Sequence, residues 1–475
     1  MRRETTCAGE QRGRFDGQTH NTTTMTYQQL IERKSIKQCD HGLKEVPPLG
    51  DYLFDYQKTV TEFALKKGRA ALFLDTGLGK TRCQIEWAKH VPGKKLILAP
   101  LAVAAQTVRE GKAIGVDILH SRDGSTSEGI TITNYERLHL FNADEFNGVV
   151  LDESSILKSF MGKTKNQLCD AFSQTPFRLC CSATPAPNDY MELGNHSDFL
   201  GVMPSNEMLT RWFINDTMNF GSYRLKGHAI QSFWEWVASW AACAGKPSDA
   251  GGDDSRHILP PLTTNLHCVD SVMESDIDEG WLFKSAQLTA TTMHADKRAT
   301  LKERVEKARQ LASTGDYCLI WCESNDESEA LRKAIPDSVE VKGADSADSK
   351  EEKLEAFSAG KVRVLISKAS ICGFGLNFQH CNHVIFASIS YSYEQFYQAI
   401  RRTWRFGQKR PVRVDCIIAN SEQPIWQTIQ AKLSAHDQMK GAMKFASMDR
   451  QRSHNIKQTY KPTHEGTFPI WLKTK

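Results

Sequence analysis

The sequence predicts an α/β protein of two doubly wound parallel sheets with a mainly helical segment between them. Three observations predict it. Short apolar runs alternate with stretches of helical spacing in two separate blocks of the chain, and strands that recur with helices between them build parallel sheets. A strand, a glycine turn and a helix follow one another between Ala70 and Lys89, the order that makes a phosphate cradle. Between the blocks the character changes, with Trp212, Phe213, Phe220, Tyr223, Phe233, Trp234, Trp236 and Trp240 crowded together.

The cradle is the stretch around which the rest is arranged. Its apolar run Ala71 to Leu74 reads as a buried strand that breaks at Gly77 and Gly79 into Lys80 and Thr81, and the residues up to Lys89 carry apolar groups at helix spacing. Glycines let backbone N–H groups close around an anion. Thr76, Gly77, Leu78 and Gly79 would wrap the phosphates, Lys80 would reach the outer ones, and the Thr81 hydroxyl would hold Mg2+. The strict motif has glycine six residues before the lysine; here that residue is Leu74.

Upstream, an aromatic precedes Gln57, whose amide offers a donor and an acceptor and can read an adenine edge. Downstream, the runs ending at Ala99, Leu119, Thr133 and Leu151 continue the first strand series. Ligands of such sheets bind at the carboxyl ends of strands. The run Val149 to Leu151 delivers Asp152 and Glu153 there, and two adjacent acids after an apolar strand are costly unless they face a cation. Asp152 is the candidate ligand of the Mg2+ on a nucleotide, and Glu153 would orient the attacking water. A further strand, Arg178 to Cys181, runs into Ser182 and Thr184, whose hydroxyls would lie beside the same site.

The aromatic segment reads as a small helical subdomain with an aromatic core, since only Arg211, Arg224 and Lys226 accompany the rings as a base-stacking face would require. A charged helix from Asp296 to Ala312 reads as a solvated connector. The second strand series follows, with runs at 317–321, 339–341, 362–366, 383–386 and 412–418 and no phosphate loop of its own. Arg402 and Arg405 are three residues apart, which places them on one face of an expected helix. Opposite the first block's loop they would complete a split ATP site.

Composition bounds the alternatives. The 475 residues suffice for two large domains and an insertion. A net charge of +4 and a pI near 8.3 neither require nor exclude a polyanion. No apolar run approaches the roughly 20 residues of a membrane span, and the start lacks a signal-peptide core, so an intracellular, cytoplasmic protein is expected. Thirteen cysteines without a C-x-x-C pair read as reduced core residues. The expected divisions are a disordered polar tail at 1–26, which a start at Met25 would also explain, a first domain at 27–190, the insertion and linker at 191–293, a second domain at 294–440 and a basic tail at 441–475.

Taken in order, these motifs resemble those of the superfamily-two helicases and translocases, most closely the Swi/Snf-type branch. The resemblance runs from about Leu53 to Leu433 and is carried by Gln57, the loop Gly77 to Thr81, Ala99 to Leu101, Thr133 to Glu136, Asp152–Glu153, Ser182 to Pro185, Gly373 to Asn377 and the Q-A-x-x-R-x-x-R-x-G-Q string from Gln398 to Gln408. It implies two RecA-like domains with ATP and Mg2+ between them, and Arg402 and Arg405 as arginine fingers. DNA, duplex by the branch, would cross both domains along Pro100, Asn134, Tyr135, Gly373 and Asn377, with RNA left open. Ser182, Thr184 and Gln398 would couple hydrolysis to movement, and the chain would act as a monomer. Ser155 stands where the branch usually has histidine, and Ser182–Thr184 is similar to the strand-separating helicases. A strand-separating helicase and an ATP-gated clamp without directed motion are therefore the alternatives. The compact length resembles viral or mobile-element members.

Overall fold

The computed structural model describes residues 41–100, 103–159, 162–215, 223–270, 290–372 and 377–452. The polar tail, the helical pattern around Leu30, Leu101, Phe220, Gly373 and the basic tail beyond Arg452 lie outside them.

Two parallel sheets form, one from each block. The first contains β1 (Arg69–Leu74), β2 (Lys95–Ala99), β3 (Ile118–His120), β4 (Ile130–Asn134), β5 (Gly148–Asp152), β6 (Phe177–Cys181) and β9 (Ala241–Ala244), in the order β3-β4-β2-β5-β6-β1-β9. Its strands are apolar nearly throughout because helices cover both faces of a parallel sheet. Residues 70–74 are buried without exception.

The segment expected as an insertion splits its loyalties. Helices Leu193–Leu200, Ser205–Trp212 and Ile230–Ala238 and the antiparallel hairpin β7 (Phe213–Asn215) and β8 (Tyr223–Leu225) form its helical part. Trp212, Phe233, Trp236 and Trp240 are buried there, with Trp212 stacked on Trp236 at 4.7 Å between ring centroids, so these rings are core. The next run, β9, pairs in parallel with β1, aligning Ala71 with Ala241. Small alanine side chains gave this strand no signature in the sequence.

The second sheet contains β10 (Leu262–Val269), β11 (Cys318–Cys322), β12 (Ser338–Val341), β13 (Val364–Lys368), β14 (His383–Phe386) and β15 (Val412–Ala419), in the order β10-β15-β14-β11-β13-β12, all parallel. Its first and last strands are neighbours. Asp415 on β15 accepts from Asn265 Nδ2 at 2.9 Å and lies 2.9 Å from His267 Nε2, which fastens β10 to the sheet. Helix Gln423–Arg452 then anchors Ile425 and Ile429 in the second core and runs back to the first domain, where it packs on helix Ile230–Ala238 and β9.

The helix expected as a solvated connector is packed instead. It is two helices, Ala290–Ala299 and Leu301–Ala312, and Val305, Ala308, Leu311 and Ala312 form a buried stripe on the second. Arg304 is fully buried among them. Its Nε donates to Thr300 Oγ1 at 2.8 Å, its Nη1 to the Ile417 carbonyl at 3.1 Å, and its Nη2 to Glu422. A guanidinium is tolerated in a core only when its donors are satisfied in this way. Arg304→Met leaves the buried Glu422 carboxylate only Lys297, 3.8 Å away, and the Ala419 nitrogen, and should destabilise the second domain by about 3 kcal/mol in urea unfolding. A loss below about 1 kcal/mol would reduce the pair to a packing detail.

Candidate nucleotide site between the two sheets

The site is set by the carboxyl end of β1. Leu74, which replaces the expected glycine, is the last strand residue and its side chain is fully buried. That position therefore belongs to the core rather than to the turn, which removes the need for glycine. The turn proper falls on Gly77 and Gly79, with φ of 89° and 75°. At Gly79 a Cβ would collide with the Gln57 amide, and at Gly77 it would stand 2.9 Å from the Phe406 nitrogen of the second domain. Lys80 opens helix Lys80–His90 and donates its Nζ to the Leu74 carbonyl at 3.0 Å, closing the loop on itself. Thr81 follows in the first turn, half-buried.

Gln57 lies beneath this loop, 2% exposed. Its amide donates to the Leu78 carbonyl at 3.0 Å and accepts from the Phe54 nitrogen at 3.0 Å, so it braces the turn from below. The Thr76 nitrogen donates to Asp75 Oδ1 at 2.7 Å.

The two acids end β5. Asp152 accepts from Gln84 Nε2 at 2.7 Å, and its carbonyl accepts from the Tyr135 hydroxyl at 2.7 Å. Burial pushes its carboxyl up from the ordinary range, against the Gln84 hydrogen bond and the charge of Lys80. Glu153 has φ 53° and ψ 55°, the one positive φ outside glycine among the described residues. Such a conformation is costly for a glutamate and turns the side chain out of the strand line. Its Oε2 is buried with no hydrogen-bond partner among the described residues. Burial raises its pKa to about 7, with Lys80 and Arg402 pulling down and Asp152 and Glu394 pushing up. A buried acid with an unpartnered oxygen, beside a lysine and a glycine turn, suits a polyphosphate with a divalent ion.

Arg402 and Arg405 do not share a helix face, as their spacing led us to expect. Helix Tyr393–Ile400 stops two residues before Arg402, where the backbone tightens to three-residue bonds from the Arg402 nitrogen to the Ala399 carbonyl and from the Thr403 nitrogen to the Ile400 carbonyl, and Gly407, with φ 93°, then turns the chain. Both arginines therefore sit on the turn that follows. Arg402 is 5% exposed and its Nη2 lies 3.4 Å from Gln398 Oε1, while Arg405 feels the charge of Glu110 in the first domain. Among the remaining candidates, Ser182 and Thr184 are buried and joined by a 3.1 Å bond from the Thr184 nitrogen to Ser182 Oγ. Pro100 and Asn134 stand at the carboxyl ends of β2 and β4, Asn377 is exposed beside the second sheet, and Ser155 is buried.

Sequence reasoning missed the contacts that join the halves. Asp75, directly after β1, pairs with Arg401 Nη2 at 2.8 Å and Lys440 Nζ at 3.0 Å and accepts from the Tyr397 hydroxyl. Lys158 pairs with Glu394 at 2.7 Å, and His257 stacks on Phe406 with centroids 4.5 Å apart. The available signal was an acid at the end of a buried strand, the argument applied to Asp152 and equally true of Asp75.

The chain is similar to known proteins in part and along most of its length. Residues 296–407 match the helicase conserved C-terminal domain. The bifunctional helicase and thymine dioxygenase JBP2 of Leishmania braziliensis is 34% identical over 83 residues, which are 17% of this chain and 8% of that protein. The chain thus spans under a tenth of the length of this relative. The putative protein p41 of Acyrthosiphon pisum secondary endosymbiont phage 1 is 21% identical over 82% of this chain and 98% of its own. The Sulfolobus solfataricus SWI2/SNF2 ATPase core in complex with dsDNA aligns over 87% of this chain and 99% of its own, with 17% identity and a TM-score of 0.39. Residues 296–407 thus carry a helicase C-terminal domain, and the ordered motifs along the chain resemble those of the superfamily-two helicases and translocases. The string from Gln398 to Gln408 resembles the Swi/Snf branch of that class. No helix among the described residues is long and apolar enough to cross a membrane.

The raised pKa of Glu153 gives a pH test. A carboxyl whose pKa is raised to about 7 is protonated below it and becomes the carboxylate a water-orienting role needs only as pH rises through it. If Glu153 serves turnover, nucleotide hydrolysis measured as kcat/KM should climb with a limb near pH 7, because that ratio reports the free enzyme. A profile flat from about pH 5.5 to 8.5 would remove Glu153 from that role.

Proposed function

We propose that this protein is a DNA-stimulated ATPase that translocates along duplex DNA. The observation that carries the reading is the convergence of Lys80, Asp152 and Glu153 at one edge of the first sheet with Arg402 of the second domain among the charges acting on Glu153. Each would have a separate task. The Gly77 and Gly79 amides of the loop bind the phosphates, and Lys80 exchanges the Leu74 carbonyl for the outer one. Asp152 and Thr81 would hold Mg2+, which when bound neutralises charge on the phosphates. Glu153 orients the water, and Arg402 and Arg405 stabilise charge developing on the transferred group.

The split of the site between two domains supports movement as the output. A site completed only when two bodies approach converts binding and loss of phosphate into closure and reopening. DNA lying along Pro100, Asn134, Tyr135, Gly373 and Asn377 would then be gripped alternately by the two sheets. Buried Ser155, in place of a histidine, favours a second reading in which ATP gates a clamp on nucleic acid without directed motion. Triplex displacement separates the two, since only a translocase strips a third strand.

Steady-state ATPase with and without duplex DNA is the first test. Duplex should raise the rate, the stimulation should fall steeply with salt as phosphate contacts release counterions, and Lys80→Ala should abolish turnover with little change in thermal unfolding. A rate indifferent to DNA and to RNA would reject the translocase.

The split site has its own test. Arg402→Ala should lower turnover on the order of 10^3-fold or more while ATP affinity falls modestly, and Arg402→Lys should rescue poorly because it loses the planar fork. Near-normal stimulated ATPase in the alanine variant would return Arg402 to a structural role.

A further inference from the structure

We propose that Asp75 is a positioning residue for turnover, because its carboxylate ties Tyr397 and Arg401 of the second domain and Lys440 of the C-terminal helix to the base of the phosphate loop. The inference rests on the ATPase reading above and names a residue outside the loop and outside its arginine string.

Three separate parts of the chain meet on this one buried carboxylate. Asp75 Oδ2 lies 2.8 Å from Arg401 Nη2 and 3.0 Å from Lys440 Nζ, partners 326 and 365 residues away. Oδ1 accepts from the Tyr397 hydroxyl, which in turn accepts from Lys440 Nζ at 3.1 Å. The same Oδ1 accepts from the Thr76 nitrogen at 2.7 Å, the first N–H of the loop. One atom therefore holds the loop's entry and the second domain together.

The geometry carries this contact to the reacting groups. Arg401 is one peptide from Arg402, and its guanidinium is held in place from three sides: by Asp75, over the Tyr397 ring at 5.1 Å and over the Trp404 ring at 4.4 Å. A fixed Arg401 restricts the backbone from which Arg402 projects. Lys440 belongs to the helix that continues from β15, so the clamp also registers where that helix lies on the first domain. A buried acid with two cations needs both to repay its lost hydration, which makes the cluster strong when assembled and unstable when one member leaves. Ordinary fold stabilisation would use the same contacts, so the test must read more than stability.

Wild type, Lys80→Ala, Asp75→Asn, Lys440→Met and Lys440→Arg would be compared for DNA-stimulated ATPase and by small-angle scattering without nucleotide. Asp75→Asn and Lys440→Met should each lower kcat about tenfold or more, the size of one lost charge-assisted contact felt in turnover. KM for ATP should stay within about threefold, since phosphate binding is set by the loop. Both should increase the radius of gyration, and Lys440→Arg, which keeps the charge, should behave nearly as wild type. Should Asp75→Asn fail to fold, Lys440→Met on the far helix decides alone. Unchanged or raised kcat in soluble variants, a loss confined to KM, or equal effects of the two Lys440 variants would overturn the proposal. If wild type itself lacks ATPase, the broader reading fails instead; if it is active, Lys80→Ala is dead and the Asp75 and Lys440 variants are normal, only this inference falls.

Discussion

The burial of β1 is the constraint on which the rest of the molecule depends. The strand runs between β6 and β9 with every residue from Ala70 to Leu74 inside, so its end cannot shift without moving two neighbours. From that fixed point the backbone must turn and start a helix within a few residues. Only glycine meets the turn at 77 and 79, where positive φ coincides with close approach by Phe406 and Gln57. Loop, lysine and the joint to the second domain all inherit their positions from this strand end.

Acids at two strand ends on the same edge of the sheet show how position alone decides electrostatic fate. Asp75 and Asp152–Glu153 each follow a buried apolar strand, and all are desolvated. Asp75 has two cations and a tyrosine hydroxyl, which hold its carboxyl well below the usual range despite burial. Glu153 shares its site with another acid and keeps an unpartnered oxygen, so burial wins and its pKa rises. A saturated carboxylate holds structure, whereas an unsatisfied one keeps chemical capacity. Environments that push like groups apart in this way mark division of labour within a site.

Much of this was legible in the residues, and the exceptions have physical causes. The two strand series, the loop and the acid pair could be read because apolar runs, glycines and strand-end acids each carry a local requirement. β9 was hidden because Ala241–Ala244 contains no β-branched or aromatic residue apart from its flanking Trp240, and its strand character comes from its neighbour. Helix Leu301–Ala312 read as solvated because an arginine in the middle of a charged pattern gives no sign that its guanidinium points inward to Glu422. The Arg402 turn read as helix because spacing reports which face residues would share but not where the helix ends. Asp75 could not be assigned because its partners lie on elements that only the fold brings near.

The second sheet's neighbouring first and last strands have a mechanical consequence. The segment from the first domain enters at the amino end of β10, and the returning helix leaves from the carboxyl end of β15, so the two tethers attach at opposite ends of one parallel pair. A load applied along either strand is borne as shear by the β10–β15 ladder. Hydrogen bonds over the full eight-residue length of β10 resist it together instead of opening one at a time. A strand at the rim of a sheet would be the first to peel if it were pulled sideways. Loaded lengthwise, it becomes the part of the second domain best able to transmit force without coming apart.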